Sequence, residues 1–85
     1  MAQMANTEMI PKLKACIEGI EDLQRNLKAG IANTMDICQE SGSQKLISSC
    51  QAASDGSDTI VAVAGELVET LEMLKKQYEK LEAAL

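Results

Sequence analysis

Histidine, phenylalanine and tryptophan are absent from this sequence, and Tyr78 is its only aromatic residue. The core of any fold is therefore aliphatic. Missing histidine removes the commonest general base and a frequent metal ligand, and a two-helix chain has no room for a dry pocket holding paired carboxylates. The chain is expected not to be an enzyme and to carry no cofactor or metal. Basic residues are few: Lys and Arg number 8 against 13 acidic residues, for a net charge of -5. No basic stripe is available to neutralise phosphates, and one aromatic ring gives little base stacking, so nucleic acid is excluded as an expected ligand.

Long apolar runs are also missing. The longest, Ile60 to Ala64, falls far short of the roughly 20 residues that span a bilayer. No membrane span is expected. The opening residues carry neither a basic leader with an apolar stretch nor a small-residue cleavage site. The expectation is a cytoplasmic protein, or one secreted without a cleaved signal peptide. Three cysteines, Cys16, Cys38 and Cys50, are too few and too widely spaced for a disulfide framework or a zinc site.

What is present is helical periodicity. Apolar or small residues recur at steps of three and four through Ile10, Leu13, Ile17, Ile20, Gln24, Leu27, Ile31, Thr34 and Cys38. A flanking row at seven-residue spacing, Met9, Cys16, Leu23, Gly30 and Ile37, widens that stripe beyond a two-stranded seam. The second half repeats the stepping from Leu46 through Cys50, Ala53, Ser57, Ile60, Ala64, Leu67, Leu71, Leu74, Tyr78 and Leu81 to Leu85, with Ile47, Val61 and Val68 alongside. Thr7 is a candidate N-cap, and Pro11 belongs in an opening turn, where its missing N–H has no helical partner. Ser41, Gly42 and Ser43 supply the stop and the next cap. The predicted fold is all-α: a single antiparallel hairpin of helix 8–40, turn 41–43 with Gly42 at its centre, and helix 44–84. The polar cluster from Ser54 to Asp58 could split the second helix, but the stripe crosses it without a phase jump, so one continuous helix is favoured.

Several side chains stand out on this frame. Glu8 with Lys12, Glu21 with Arg25 and Glu72 with Lys76 are helically spaced pairs on the outer faces, while Glu18, Glu21 and Asp22 read as a solvated face. With a turn centred near residue 44, Cys38 and Cys50 are equally distant from it along the chain, and both lie on the packed stripes, so they should face each other, either as buried thiols or as a candidate disulfide; Cys16 reads as a small stripe residue. Small residues, namely Ala29, Gly30 and Ala32 on one arm and Ala52, Ala53, Gly56, Ala62, Ala64 and Gly65 on the other, are expected where the arms approach closely. At the open end Ile10, Leu13, Ile17 and Ile20 should oppose Tyr78, Leu74, Leu71 and Leu67. These large residues are the expected adhesive and partner-facing surface. Two arms alone sit near the break-even between burial and ordering, so a four-helix bundle with a second copy or a protein partner is the expected assembly.

A hairpin of this size, with a Gly turn near its midpoint and a Tyr plus acidic residue late in the second arm, resembles the Trp-Xaa-Gly helical hairpin family of type VII secretion. The resemblance covers nearly the whole chain. Its turn triplet falls on Glu40, Ser41 and Gly42, so the Gly is present and the Trp is missing. The family's export signal, Tyr followed four residues later by an acidic residue, falls on Tyr78 and Glu82. Divergent hairpins lacking the Trp are similar to the small partner proteins of LXG toxins. The resemblance implies a chain that pairs with the helical N-terminal region of a secreted toxin, or with a second hairpin, and offers the paired C-terminal end to the secretion machinery. Two alternatives stand beside it: a type III secretion needle subunit or needle chaperone, although the Pro-containing turn usual in needle subunits is missing, and a cytosolic coiled-coil assembly subunit.

Overall fold

A computed structural model describes residues 2–84, with side chains from Glu8 onward. Two helices account for nearly all of it: α1 (Ala2–Ser41) and α2 (Gln44–Ala83). The chain between them reverses on two residues. Gly42 has φ 68, the left-handed conformation that glycine adopts at little cost after a helix. Its N–H donates to the Gln39 carbonyl at 3.2 Å, and the Ser41 hydroxyl donates to the Cys38 carbonyl. Ser43 then caps α2, its side chain accepting from the Leu46 N–H at 3.3 Å. The all-α hairpin and its Gly42 turn are as the sequence predicts.

The start of α1 differs from the prediction. The helix runs from Ala2, so Pro11 lies in its interior and Thr7 is a helical residue rather than a cap; the Thr7 side chain lies outside the described residues. Pro11 deprives the carbonyl four residues earlier of its donor, a local cost that the pattern of stops and caps took as decisive and the continuing helix absorbs. The Ser54–Asp58 cluster, by contrast, leaves α2 unbroken. Its polar side chains turn back on their own helix: the Ser57 hydroxyl donates to the Ser54 carbonyl at 2.9 Å, and Gln51 donates to the Asp55 carboxylate at 3.1 Å.

The pair measures 63 × 15 × 15 Å with a radius of gyration of 19.0 Å. A compact domain of this length would have a radius of about 12 Å. Accordingly its surface of 6174 Å² exceeds by roughly 1,300 Å² what a compact monomer of 9.1 kDa exposes. Only Leu13, Ile17, Cys38, Cys50 and Ser57 are buried among the described residues, and none is sealed completely. The core is a single seam, one layer deep.

Along α1 that seam follows the predicted row, with Ile10, Ile20, Gln24, Leu27 and Ile31 half-buried between the buried positions; Met35 turns inward where Thr34 was expected. Along α2 the predicted positions Cys50 and Ser57 are buried as expected, and only the alternate positions of the row are displaced, by one residue. Ile47, Val61 and Val68, read from sequence as flanking, meet α1, while Leu46, Ile60 and Leu67 face outward. Ala64, Leu71 and Tyr78 keep their inward places, and Leu85 lies outside the described residues. The close-approach reading of the small residues also needs correction: only Ala64 and Gly65 lie half-buried at the seam, whereas Ala29, Gly30, Ala32, Ala52, Ala53, Gly56 and Ala62 are exposed. The ion pairs form at three-residue rather than four-residue spacing: Arg25 with Asp22, exposed to solvent where such a pair adds little, and Lys75 with Glu72, both half-buried, at 3.9 Å.

Candidate functional site: an uncharged side of the hairpin

Each helix repeats with a period near seven, so the residues flanking the seam form two rows per helix, one on each side of the hairpin. On one side α1 offers Lys14, Glu21 and Lys28, and α2 offers Gln51, Asp58, Glu72 and Glu79. The placement of these rows together is visible in a shallow cleft of about 270 Å³ that Lys28, Ala32 and Met35 share with Ser54 and Asp58. This side is charged and wet.

The other side carries the remaining rows. From α1 come Met9, Cys16, Leu23, Gly30 and Ile37; from α2 come Leu46, Ala53, Ile60, Leu67, Leu74 and Leu81. Leu23 is 64% exposed, Ile37 67%, Ile60 57% and Leu67 50%. Scattered exposed leucines are ordinary on any surface; a contiguous file of them on one side of a rod is not. The next positions outward on α2 sharpen the contrast, since Ser49, Gly56, Val63, Thr70 and Gln77 are all uncharged. Over α2 this side therefore has its own alternating three- and four-residue repeat, without a charge from Leu46 to Leu81. On α1 the outward neighbours are Lys12, Gly19, Asn26, Asn33 and Glu40, with charge only at the two ends.

The predicted partner-facing residues fall in two groups. Leu13 and Ile17 are buried in the chain's own seam at 5% and 4% exposure, with Ile10, Ile20 and Leu71 beside them half-buried. Leu67 stands out in solvent, and Leu74 is half-buried between the seam and the uncharged side. The sequence pattern marks the α1 flanking row but not the equivalent α2 row, because steps of three and four carry Leu46, Ile60 and Leu67 onto the seam. Their strict seven-residue spacing was the available signal.

Cys38 and Cys50 are brought together next to the turn, both buried and both free thiols, while Cys16 is exposed on the uncharged side. Burial, reinforced by the Cys38 thiol beside it, pushes the Cys50 thiol above its ordinary value of 9.0. The Cys50 sulfur also lies 4.0 Å from the Ile31 carbonyl oxygen, across the seam. At the far end Tyr78 is half-buried against α1 and Glu82 is exposed in the last turn of α2. No helix among the described residues is long and apolar enough to cross a membrane, and no cluster of metal-ligating side chains occurs among them. Compared with protein-family models, curated proteins and solved structures, the chain matches none of them.

Proposed function

We propose that the chain is a helix-pairing partner protein, completed along its uncharged side by helices of another chain, and that it acts by binding rather than by chemistry. The observation that carries this reading is the uncharged file on α2, in which Leu46, Ile60 and Leu67 stay about half exposed. Burying such a side chain contributes about 1.5 to 3 kcal/mol, and the hairpin by itself leaves that gain unused. Placed in context by its resemblance to the Trp-Xaa-Gly hairpins, the partner is the helical N-terminal region of a type VII secreted toxin, or a second hairpin. Tyr78 and Glu82 then form the C-terminal signal that such a complex presents. The test is recovery of the chain with its bound partner from the native host, in wild-type form and with Ile60→Asp and Leu67→Asp. A secreted helical protein that is lost with both substitutions supports the reading. A partner retained by both, or lost only when Lys28 and Asp58 are changed, overturns it.

A further inference from the structure

We propose that Cys38 and Cys50 form a redox latch: exchange with a small-molecule disulfide closes them into an intrachain bond that ties α1 to α2 beside the turn. Burial in the seam makes both closing and reopening wait for the helices to part there. The latch is independent of whatever covers the uncharged side. Its basis is a pair of free thiols, one on each helix, both only 6% exposed and neighbours across the seam. Counted along the chain they are not level, since Cys38 lies four residues before Gly42 and Cys50 seven after Ser43, an offset of about 4.5 Å at 1.5 Å per residue. Side-chain direction removes the offset. Every Cα–Cβ bond in a helix tilts toward that helix's N-terminus, so in an antiparallel pair the Cys38 side chain leans away from the turn and the Cys50 side chain leans toward it. The two sulfurs converge. Cys16, 22 residues before Cys38 on the same helix and so roughly 33 Å away, reaches neither of them.

With oxidised glutathione as the oxidant, one cysteine thiolate attacks a glutathione sulfur, forming a mixed disulfide and releasing one glutathione thiolate. The second cysteine thiolate then attacks the protein sulfur of that mixed disulfide and releases the other glutathione. The chain gives up two protons and two electrons, and one glutathione disulfide becomes two thiols. The first step is closed to the intact hairpin, because attack needs a sulfur that is both ionised and reachable. Burial and the neighbouring Cys38 thiol keep Cys50 protonated. The turn beside the pair is clasped at three points: the Gly42 N–H on the Gln39 carbonyl, the Ser41 hydroxyl on the Cys38 carbonyl, and the Leu46 N–H on the Ser43 oxygen. Local opening remains within reach, since a seam one layer deep gives up few apolar contacts when one end parts. Once formed, the bond is shielded by the same seam, so a reducing thiol meets the same barrier. The latch thus keeps the redox state of the surroundings in which the helices last separated. It also forbids a motion open to the reduced chain, straightening at Gly42 and Ser43, the only two residues between the helices.

The test uses the full chain carrying Cys16→Ser, so that only the pair remains. Oxidised glutathione at pH 8 should convert the reduced chain mainly to the Cys38 to Cys50 disulfide, identified by peptide mapping, with the helical signal unchanged. Dithiothreitol should reopen that bond at least tenfold more slowly in buffer than in urea sufficient to unfold the chain. The oxidised chain should unfold at a higher urea concentration than the reduced one, and Cys50→Ala in the same background, which cannot close, should show no such oxidant-dependent shift. A stable glutathione adduct on either cysteine, a disulfide between chains as the main product, or loss of helical signal on closing overturns the latch. Reopening at equal rates in buffer and urea overturns it as well, because burial then gates nothing. So does an oxidant-dependent shift that persists in Cys50→Ala, which would place the effect outside the pair.

Discussion

The Gln24 carboxamide reaches across the seam and donates to the Val61 carbonyl at 2.9 Å, lying over Gly65, where an added Cβ would come 3.7 Å from the Gln24 nitrogen. A polar side chain in the middle of an aliphatic seam would be costly if unpaired. Here it is tied to one turn of the opposite helix and so marks the register. Val61's carbonyl is a helical acceptor with a lone pair to spare, so the bond asks nothing of the α2 ladder.

Gly65 supplies the first prediction. A 3.7 Å approach is ordinary contact, and glycine inside a helix costs about 0.5 to 1 kcal/mol relative to alanine. Gly65→Ala should therefore stabilise the hairpin by that amount with the Gln24 bond intact. Urea melts followed by circular dichroism check the sign; a loss of stability would mean that the helices meet more closely at this level than the geometry indicates.

The buried and exposed leucines should behave oppositely. Leu13→Ala and Ile17→Ala each empty part of a seam only one residue deep, and such truncations cost about 2 to 5 kcal/mol, a large fraction of the stability of so small a domain. Each is expected to abolish the cooperative melt. Leu67→Asp changes a half-exposed residue and should leave helical content within a tenth of wild type in dilute solution while lowering association. Equal loss of helix in all three variants would show that the hairpin does not fold before it associates.

How far these features can be read from sequence differs by position. The turn was legible because Gly42 and Ser43 each do a job that few other residues can do, and the proximity of Cys38 and Cys50 followed from both lying on the packed stripes within two helical turns of it. The α2 phase was not. With Leu46 beside Ile47, Ile60 beside Val61 and Leu67 beside Val68, two apolar rows lie one residue apart, and periodicity alone cannot say which row meets α1. The same ambiguity made Thr34 and Met35 exchange roles. It arises from the second apolar row of α2 itself, which erases the contrast that identifies the first. Pro11 misled for a different reason: tertiary and helical continuity on both sides override a local breaker.

The thiols give a prediction with a pH sign. Burial raises the Cys50 thiol, so the folded chain holds that proton more tightly than the unfolded chain does. The associated stability is present in full below the ordinary value of 9.0 and is lost as the pH rises above it towards the folded value. Melting temperature should therefore decline on going from pH 8 to above pH 9, and less so in Cys50→Ala. At pH 8, alkylation should modify exposed Cys16 first and Cys50 last, because thiolate and access control the rate. Mild oxidation should join Cys38 to Cys50 within the chain. Peptide mapping that finds Cys16 in the dominant intrachain disulfide would contradict the register.

The last prediction separates packing from recognition at the C-terminal end of α2. Tyr78 is half-buried against α1, and Glu82, one helical turn on, is exposed. Tyr78→Phe keeps the ring's apolar area and removes only the hydroxyl, so the fold should be nearly unchanged. Glu82→Ala removes a solvated charge near the negative end of the helix dipole, where a carboxylate is slightly unfavourable, and its stability effect should stay within about 0.5 kcal/mol. The turn does not depend on that side chain, because Ala84 closes it by donating its N–H to the Lys80 carbonyl at 3.0 Å. If this end is an export signal, Glu82→Ala should block secretion of the chain and its partner while the complex, recovered from cells, remains assembled. Export at the wild-type level from a stable Glu82→Ala complex would reduce Tyr78 to a seam residue and Glu82 to a solubilising charge, and would remove the secretion role from the partner-protein reading without touching the docking side.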